Sequence, residues 1–404
     1  MVYFDNASTS YPKPECVYTE MDRCLREYCA NPGRGAHAMS RTAAQGVAET
    51  RAIIARFFNF GDPERIIFTK NATEALNIAI KGSLRRGDHV IATMMEHNSV
   101  VRPLIELEKE NGVEVTFLAG DMYGEVTPSD VAANIRRNTR LIVCTISANT
   151  NGIFMPVAEI GNIANRYGIP FLVDGSQGAG SVDIDFKAMK INLLAFPGHK
   201  GLFGPQGTGG LCISPGIELK PLLQGGTGSD SENPSQPQVL PEALESGTLN
   251  TPGIIGLGAG VFFINQVGRQ NIEDHKQRLI TRMHEELSIH PKIHIYSSKE
   301  PGKNSGVVAI NIDGIVSTHV SKILDEQYSI ATRAGLHCAP FAHKALGYTA
   351  KGGVLRLSVG YFNTQDEVEF TLHALQEIAD RSVDVPYELK THQCIQCGAC
   401  SRSF

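Results

Sequence analysis

The chain has 404 residues, 42% of them hydrophobic and 20% charged, with a formal net charge of −5. That is the composition of an ordinary globular chain long enough for two domains, and its slight acidity gives no global attraction to nucleic acid or to an anionic membrane. No export signal is expected at the start, because MVYFDNASTS puts Asp5 where a signal peptide needs an apolar core.

From about residue 50 to 215, short β-rich runs alternate with helical patterns. RIIFTK, HVIATMMEH, EVTFLAGD, RLIVCTIS, PFLVDGSQ, LLAFPGHK and GGLCIS read as strands, with helices such as ATEALNIAIKGSL and VAEIGNIANRYG between them. Nearly continuous apolar runs mark strands buried on both faces, as in a mostly parallel α/β sheet. Asn149, Asp174 and Lys200 fall just after such runs. They would therefore sit at the carboxyl edge, where open α/β sheets bind ligands. Residues 224–248 are rich in Gly, Ser and Pro and read as a long exposed loop.

The most apolar later stretch, GIIGLGAGVFFI at 253–264, is too short and glycine-rich to span a bilayer and reads as a buried helix. Beyond 265 the pattern becomes helix, strand (SGVVAINID), helix, strand (GVLRLSVG) and a last helix, which suggests a smaller α+β domain. The expected organisation is a large domain over 15–260, a small domain from 1–14 and 261–385, and a cysteine-rich tail over 386–404.

Nine cysteines, an odd number, argue for a reducing, cytoplasmic setting rather than a disulfide framework. Cys144 and Cys212 lie inside apolar runs and read as strand core. In the tail, HQCIQCGAC spaces Cys394, Cys397 and Cys400 like the first three ligands of a bacterial ferredoxin cluster, but Phe404 stands where the fourth is due. An iron–sulfur cluster completed from outside ranks first. Zinc held by the three thiolates and His392 follows, together with sulfur relay through these thiols.

The sheet edge carries the chemistry. A lysine there is desolvated and so a candidate Schiff-base former. An aspartate nearby can hold a pyridinium proton, as pyridoxal phosphate requires of its site. TKNATEAL adds a strand-to-helix turn where Thr73 and backbone N–H groups can cradle a phosphate, or where Thr73 is an ordinary N-cap. Arg356 lies mid-strand in VLRLSVG, where an unpaired charge is costly, so a buried anion is expected beside it. RAGLHCAP sets Cys338 before an Ala-Pro turn and by itself leaves buried hydrophobe, metal ligand and nucleophile all open.

Taken together, YFDNASTSYPKP, RGAHAMSRTA, TKNATEALN, MMEHNSVVRP, SANTNGIFMPV, LVDGSQGAG, FPGHKGLFGPQGTGGL, ESGTLNTPGI and RAGLHCAP resemble the cysteine desulfurases of the class V aminotransferase family, over about residues 3–370. The resemblance implies the α/β fold of the fold-type I pyridoxal phosphate enzymes, a large domain with a mostly parallel sheet plus a smaller C-terminal domain. It implies Lys200 as the Schiff-base lysine and proton shuttle, Asp174 at the pyridine nitrogen, His97 on the ring and Gln177 at the ring oxygen. Ala72, Thr73 and His199 would hold the phosphate, with Thr248 reaching in from the other subunit of a homodimer. Asn149 and Arg356 would take the substrate carboxylate, with His37 and Arg333 either structural or close behind. Cys338 becomes a nucleophile that receives the sulfur of L-cysteine as a persulfide and passes it to an acceptor protein, with His337 and Arg333 as sources of positive charge, unless His337 points away from Cys338 as adjacent residues of a strand do. L-Selenocysteine, and hence a selenocysteine lyase, is the alternative substrate reading. A metal- or cluster-binding scaffold using the tail is the alternative of another class, and Lys200, Asp174 and Cys338 argue against it. Pro197 departs from the family pattern, in which a serine two before the histidine is common, so one phosphate contact is expected to be missing.

Overall fold

A computed structural model describes residues 1–33, 35–228, 232–300 and 302–382. Cys394, Cys397, Cys400 and His392 lie outside the described residues. The chain opens with a two-residue strand β1 (Val2–Tyr3) and helices α1 (Glu15–Glu27) and α2 (Ala38–Phe57). It continues through β2 (Ile66–Thr69), α3 (Ala72–Ser83), β3 (His89–Thr93), α4 (Asn98–Asn111), β4 (Glu114–Leu118) and α5 (Pro128–Ala133). Next come β5 (Thr139–Thr145), α6 (Val157–Arg166), β6 (Phe171–Asp174), β7 (Leu193–Pro197) and β8 (Gly209–Ile213). A long connection leads to α7 (Thr251–Val267), α8 (Arg269–Leu287), β9 (Ile293–Ile295), β10 (Val307–Ile312) and α9 (Ser317–Tyr328). The last elements are β11 (Ile330–Ala331), β12 (Arg333–Gly335), α10 (Pro340–Ala345), β13 (Val354–Ser358) and α11 (Gln365–Arg381).

The seven apolar runs form one sheet in the order β2-β8-β7-β6-β5-β3-β4. Its pairs are parallel except where β8 runs antiparallel to both neighbours, β7 and β2. Alternate residues of each run enter opposite layers, which is why the runs are apolar throughout. Ile142 and Cys144 of β5 pack with α2, α6 and α7 on one face, and Leu141 and Val143 pack with α3 and α4 on the other. Cys144 and Cys212 are buried strand residues. Helix α3 is capped by Asn71, whose Oδ1 accepts from Glu74 N (3.0 Å), so Thr73 is its second residue and not its N-cap.

The 253–264 stretch lies within α7, which is largely buried against α1 and α2. At Gly268 the chain turns 80° into α8. No single helix among the described residues is long and apolar enough to cross a membrane. A second sheet, antiparallel in the order β12-β13-β10-β9, packs Val308, Ile310, Leu355 and Leu357 against α8, α9 and α11. The N-terminus joins this second layer: β1 pairs parallel with β11 and Phe4 is fully buried in its core. That anchor delivers residues 5–13 to the carboxyl edge of the large sheet.

Candidate active site

Six strands of the large sheet end at this edge, and turns after several of them supply the polar groups. Asp174 ends β6, 2% exposed, with Oδ1 accepting from Ser176 N (2.9 Å). Burial pushes its carboxyl up, and the Ser176 bonds and the Lys200 ammonium oppose that. Lys200 follows β7 by three residues and lines a cleft with Asn6, Ala7, Ser176 and Gln177. Burial brings its amine down to about 8, against the pull of Asp174 and with help from the Arg356 and Arg333 charges. The N-terminal segment clamps the lysine turn. Thr9 Oγ1, Ser10 N and Lys13 Nζ donate to His199 O at 3.0, 3.1 and 2.7 Å, and Ser10 Oγ donates to Lys200 O (2.8 Å).

After β3, His97 caps α4. Its Nδ1 accepts from Ser99 N (3.1 Å), which leaves the proton of the neutral ring on Nε2. Burial, with Lys200 next, lowers it to about 4, so the ring is uncharged at neutral pH. His199 is lowered to about 4 by burial as well, and its buried Nδ1 has no partner among the described residues. Gln177 Nε2 donates to Ala7 O (3.0 Å).

Between Thr93 and His97 lies Glu96, fully buried, a residue for which sequence reasoning proposed no role. Its Oε1 accepts from Thr93 Oγ1 (2.8 Å) and Thr145 N (2.9 Å), while Oε2 has no partner among the described residues. Burial and the Asp174 charge push this carboxyl up to about 8. The signal was available in MMEHNS, where a glutamate directly follows a run too apolar to leave it in solvent.

The Cys338 loop comes in from the second sheet. Asn98 N donates to Cys338 O (2.8 Å) and Asn149 Nδ2 to His337 O (2.6 Å), fastening the loop beside His97. His337 and Cys338 both have left-handed backbone, φ 50° and 57°. They form a turn rather than a strand, which corrects the reason expected for their opposite facing: Cys338 is exposed and His337 is 3% exposed. His337 Nε2 donates to Val354 O (3.1 Å), and burial lowers the imidazole well below its ordinary value. It therefore supplies no positive charge at neutral pH. Arg333 does, with Nη2 3.4 Å from Cys338 Sγ.

Arg356 is fully buried, and the anion inferred beside it from sequence is Asp5, whose Oδ1 accepts from Nη2 (2.9 Å). Nη2 also donates to Ser8 Oγ (2.8 Å) and Nη1 to Asn149 O (2.8 Å). Arg356 Nε and Asn149 Oδ1 are buried without partners among the described residues.

Other expected residues lie apart within this chain. His37 is exposed and serves as N-cap of α2. Ala72 is buried as the first residue of α3, and Thr73 beside it is exposed. Thr248 is exposed and lines a separate hollow with Lys70, Glu74 and Asn250. Pro197 is buried at the end of β7, paired with Gly209, and has no N–H to offer a ligand.

The family described as aminotransferase class-V matches residues 2–370. The chain is 39% identical over 383 residues to a probable cysteine desulfurase of Methanothermobacter thermautotrophicus, covering 94% of each chain. It is 32% identical to a cysteine desulfurase of Cronobacter sakazakii, covering 91% of each. Among solved structures it resembles the apo structure of a cysteine desulfurase from Thermococcus onnurineus, with a TM-score of 0.88, 34% identity and 94% of each chain covered.

Proposed function

The chain belongs to the class-V aminotransferases and, within them, to the cysteine desulfurases, and from that premise we propose that it converts L-cysteine to L-alanine and stores the sulfur on Cys338. The reading rests on one juxtaposition. A partly buried lysine with a lowered pKa interacts with the Asp174 charge, and a cysteine loop is hydrogen-bonded to the turn that carries His97.

The residues fit pyridoxal 5'-phosphate. Asp174 suits a pyridine nitrogen and Gln177 a ring oxygen, and His97 presents an uncharged ring. The unpartnered Nδ1 of His199, with the start of α3 at Ala72 and Thr73, suits a phosphate. When bound, the cofactor supplies an electron sink for the pair left at the substrate Cα. Thr248, exposed and outside the Lys200 cleft, is assigned to a second copy's site in a homodimer.

Arg356 and Asn149 hold the substrate carboxylate, with Arg356 Nε the buried donor still open. Lys200, whose amine is partly free near neutral pH, takes the Cα proton. The thiolate of Cys338, which Arg333 Nη2 holds before substrate arrives, attacks the substrate sulfur. A sulfur–sulfur bond forms and the carbon–sulfur bond breaks. Its electron pair stays with the three-carbon fragment, which is protonated at Cβ to give alanine. A thiol of an acceptor protein then removes the outer sulfur. A cytoplasmic setting, where thiols stay reduced, suits this chemistry.

The test is turnover of L-cysteine by purified protein with pyridoxal phosphate. Lys200→Ala is expected to lose the cofactor's visible absorbance. Cys338→Ser is expected to keep the absorbance and lose persulfide and sulfide formation. Undiminished sulfide release by Cys338→Ser would remove that residue from the reaction.

A further inference from the structure

Ser8 sits between the two arginines of the site, and its hydroxyl is saturated. It accepts from Arg333 Nη1 (2.9 Å) and Arg356 Nη2 (2.8 Å) and donates to Asp5 Oδ1 (2.7 Å). One donor and two acceptor positions are all that a hydroxyl has. Arg333 and Arg356 face each other directly across β12 and β13, a like-charge pairing that is unfavourable unless something bridges it. Asp5 and Ser8 are that bridge. They arrive from the other end of the chain because β1 is pinned to β11.

The same arginines hold different things. Arg333 Nη2 reaches Cys338 Sγ (3.4 Å), while Arg356 is the group assigned above to the substrate carboxylate. Both hydrogens of Arg356 Nη2 are already engaged, by Asp5 and by Ser8. A carboxylate that grips a guanidinium with two parallel bonds uses Nη2 in either arrangement, with Nη1 end-on or with Nε side-on. Nε is the open donor. An arriving carboxylate therefore has to take an Nη2 hydrogen from this bridge.

We propose that Ser8 is a positioning residue that couples the substrate carboxylate to the nucleophile: occupancy of Arg356 releases Ser8, and Ser8 then releases Arg333 from its parking contact with Cys338. The proposal rests on the functional reading above. At rest the sulfur is held by Arg333; with a carboxylate in place the loop delivers it to the substrate. Linkage makes the coupling reciprocal, so a modified Cys338 changes carboxylate affinity by the same factor.

The test is iodoacetamide labelling of Cys338 in the cofactor-loaded enzyme, followed by mass spectrometry of its peptide, with and without L-alanine. Alanine brings the carboxylate and no sulfur. In the wild type, alanine is expected to change the Cys338 labelling rate by about fivefold or more, the low end of ordinary site-to-site coupling. Ser8→Ala without alanine is expected to label at the alanine-bound wild-type rate and to ignore added alanine. Ser8→Thr, which keeps the hydroxyl, is expected to retain the response. Arg333→Gln, which tests the next link should Ser8→Ala fail to fold, is expected to lose it. A Ser8→Ala protein whose labelling still responds to alanine as wild type does overturns the coupling and leaves the functional reading standing. Alanine that leaves the wild-type cofactor spectrum untouched overturns that reading, and the coupling with it.

Discussion

Glu96 is a carboxyl folded in its neutral form, and replacing it with glutamine tests that directly. Burial and Asp174 raise it from an ordinary 4.5 to about 8. Between those values the folded state keeps a proton that the unfolded chain has lost. The stability this proton contributes is complete below about 4.5 and disappears as pH rises towards about 8. Each pH unit well inside the window is worth about 1.4 kcal/mol, so roughly 2–3 kcal/mol is lost between pH 5 and pH 7. Glu96→Gln keeps an oxygen for Thr93 Oγ1 and Thr145 N and cannot ionise. Urea unfolding of both proteins across that range is expected to show the variant gaining roughly 2–3 kcal/mol on the wild type. An infrared band of a protonated carboxyl at pH 7, absent in Glu96→Gln, is the companion measurement. Parallel stability curves would refute the neutral carboxyl.

Lys200 gives a second pH signature. With its amine brought to about 8, the rate at which cofactor-free protein takes up pyridoxal phosphate is expected to rise with pH and level off above about 8. Stopped-flow absorbance checks this, and a rate still climbing at pH 10 would mean an ordinary lysine. Gly161 tests packing. Alanine in a helix is normally better than glycine by about 1 kcal/mol, but a Cβ here runs into the carbonyl oxygen of Met189. Backbone cannot swing aside as a side chain does, so the clash is expected to win and Gly161→Ala to cost about 1–3 kcal/mol in urea denaturation.

The sequence reveals the parts of this molecule that repeat on a short period. Strands such as RLIVCTIS are continuous apolar runs because both faces of β5 are covered, and the residues just beyond them mark the ligand edge. Arg356 was legible for the same reason, as a charge in a strand that must meet an anion. What was not legible was which anion. Asp5 and Ser8 lie more than 320 positions before their arginines, and the contact depends on the pairing of β1 with β11, two residues each. No periodicity survives in a two-residue strand. The turn that sets His337 apart from Cys338 was also beyond reach, because it follows from two consecutive left-handed residues that no glycine announces.

Charge balance explains why these unseen residues matter. The guanidiniums of Arg333 and Arg356 face each other across two strands, and among the described residues hydrogen-bonded to them Asp5 is the single carboxylate. One positive charge remains. At rest it lies closest to the Cys338 sulfur, through Arg333; in the proposed reaction a carboxylate at Arg356 claims it. A sulfur and a carboxylate competing for one surplus charge cannot be independent, since satisfying either weakens the pull on the other. A site with a second fixed carboxylate would hold its nucleophile and its substrate without communication between them. With one, and with Ser8 as the atom shared by both arginines, arrival of the substrate carboxylate is what frees the sulfur to react.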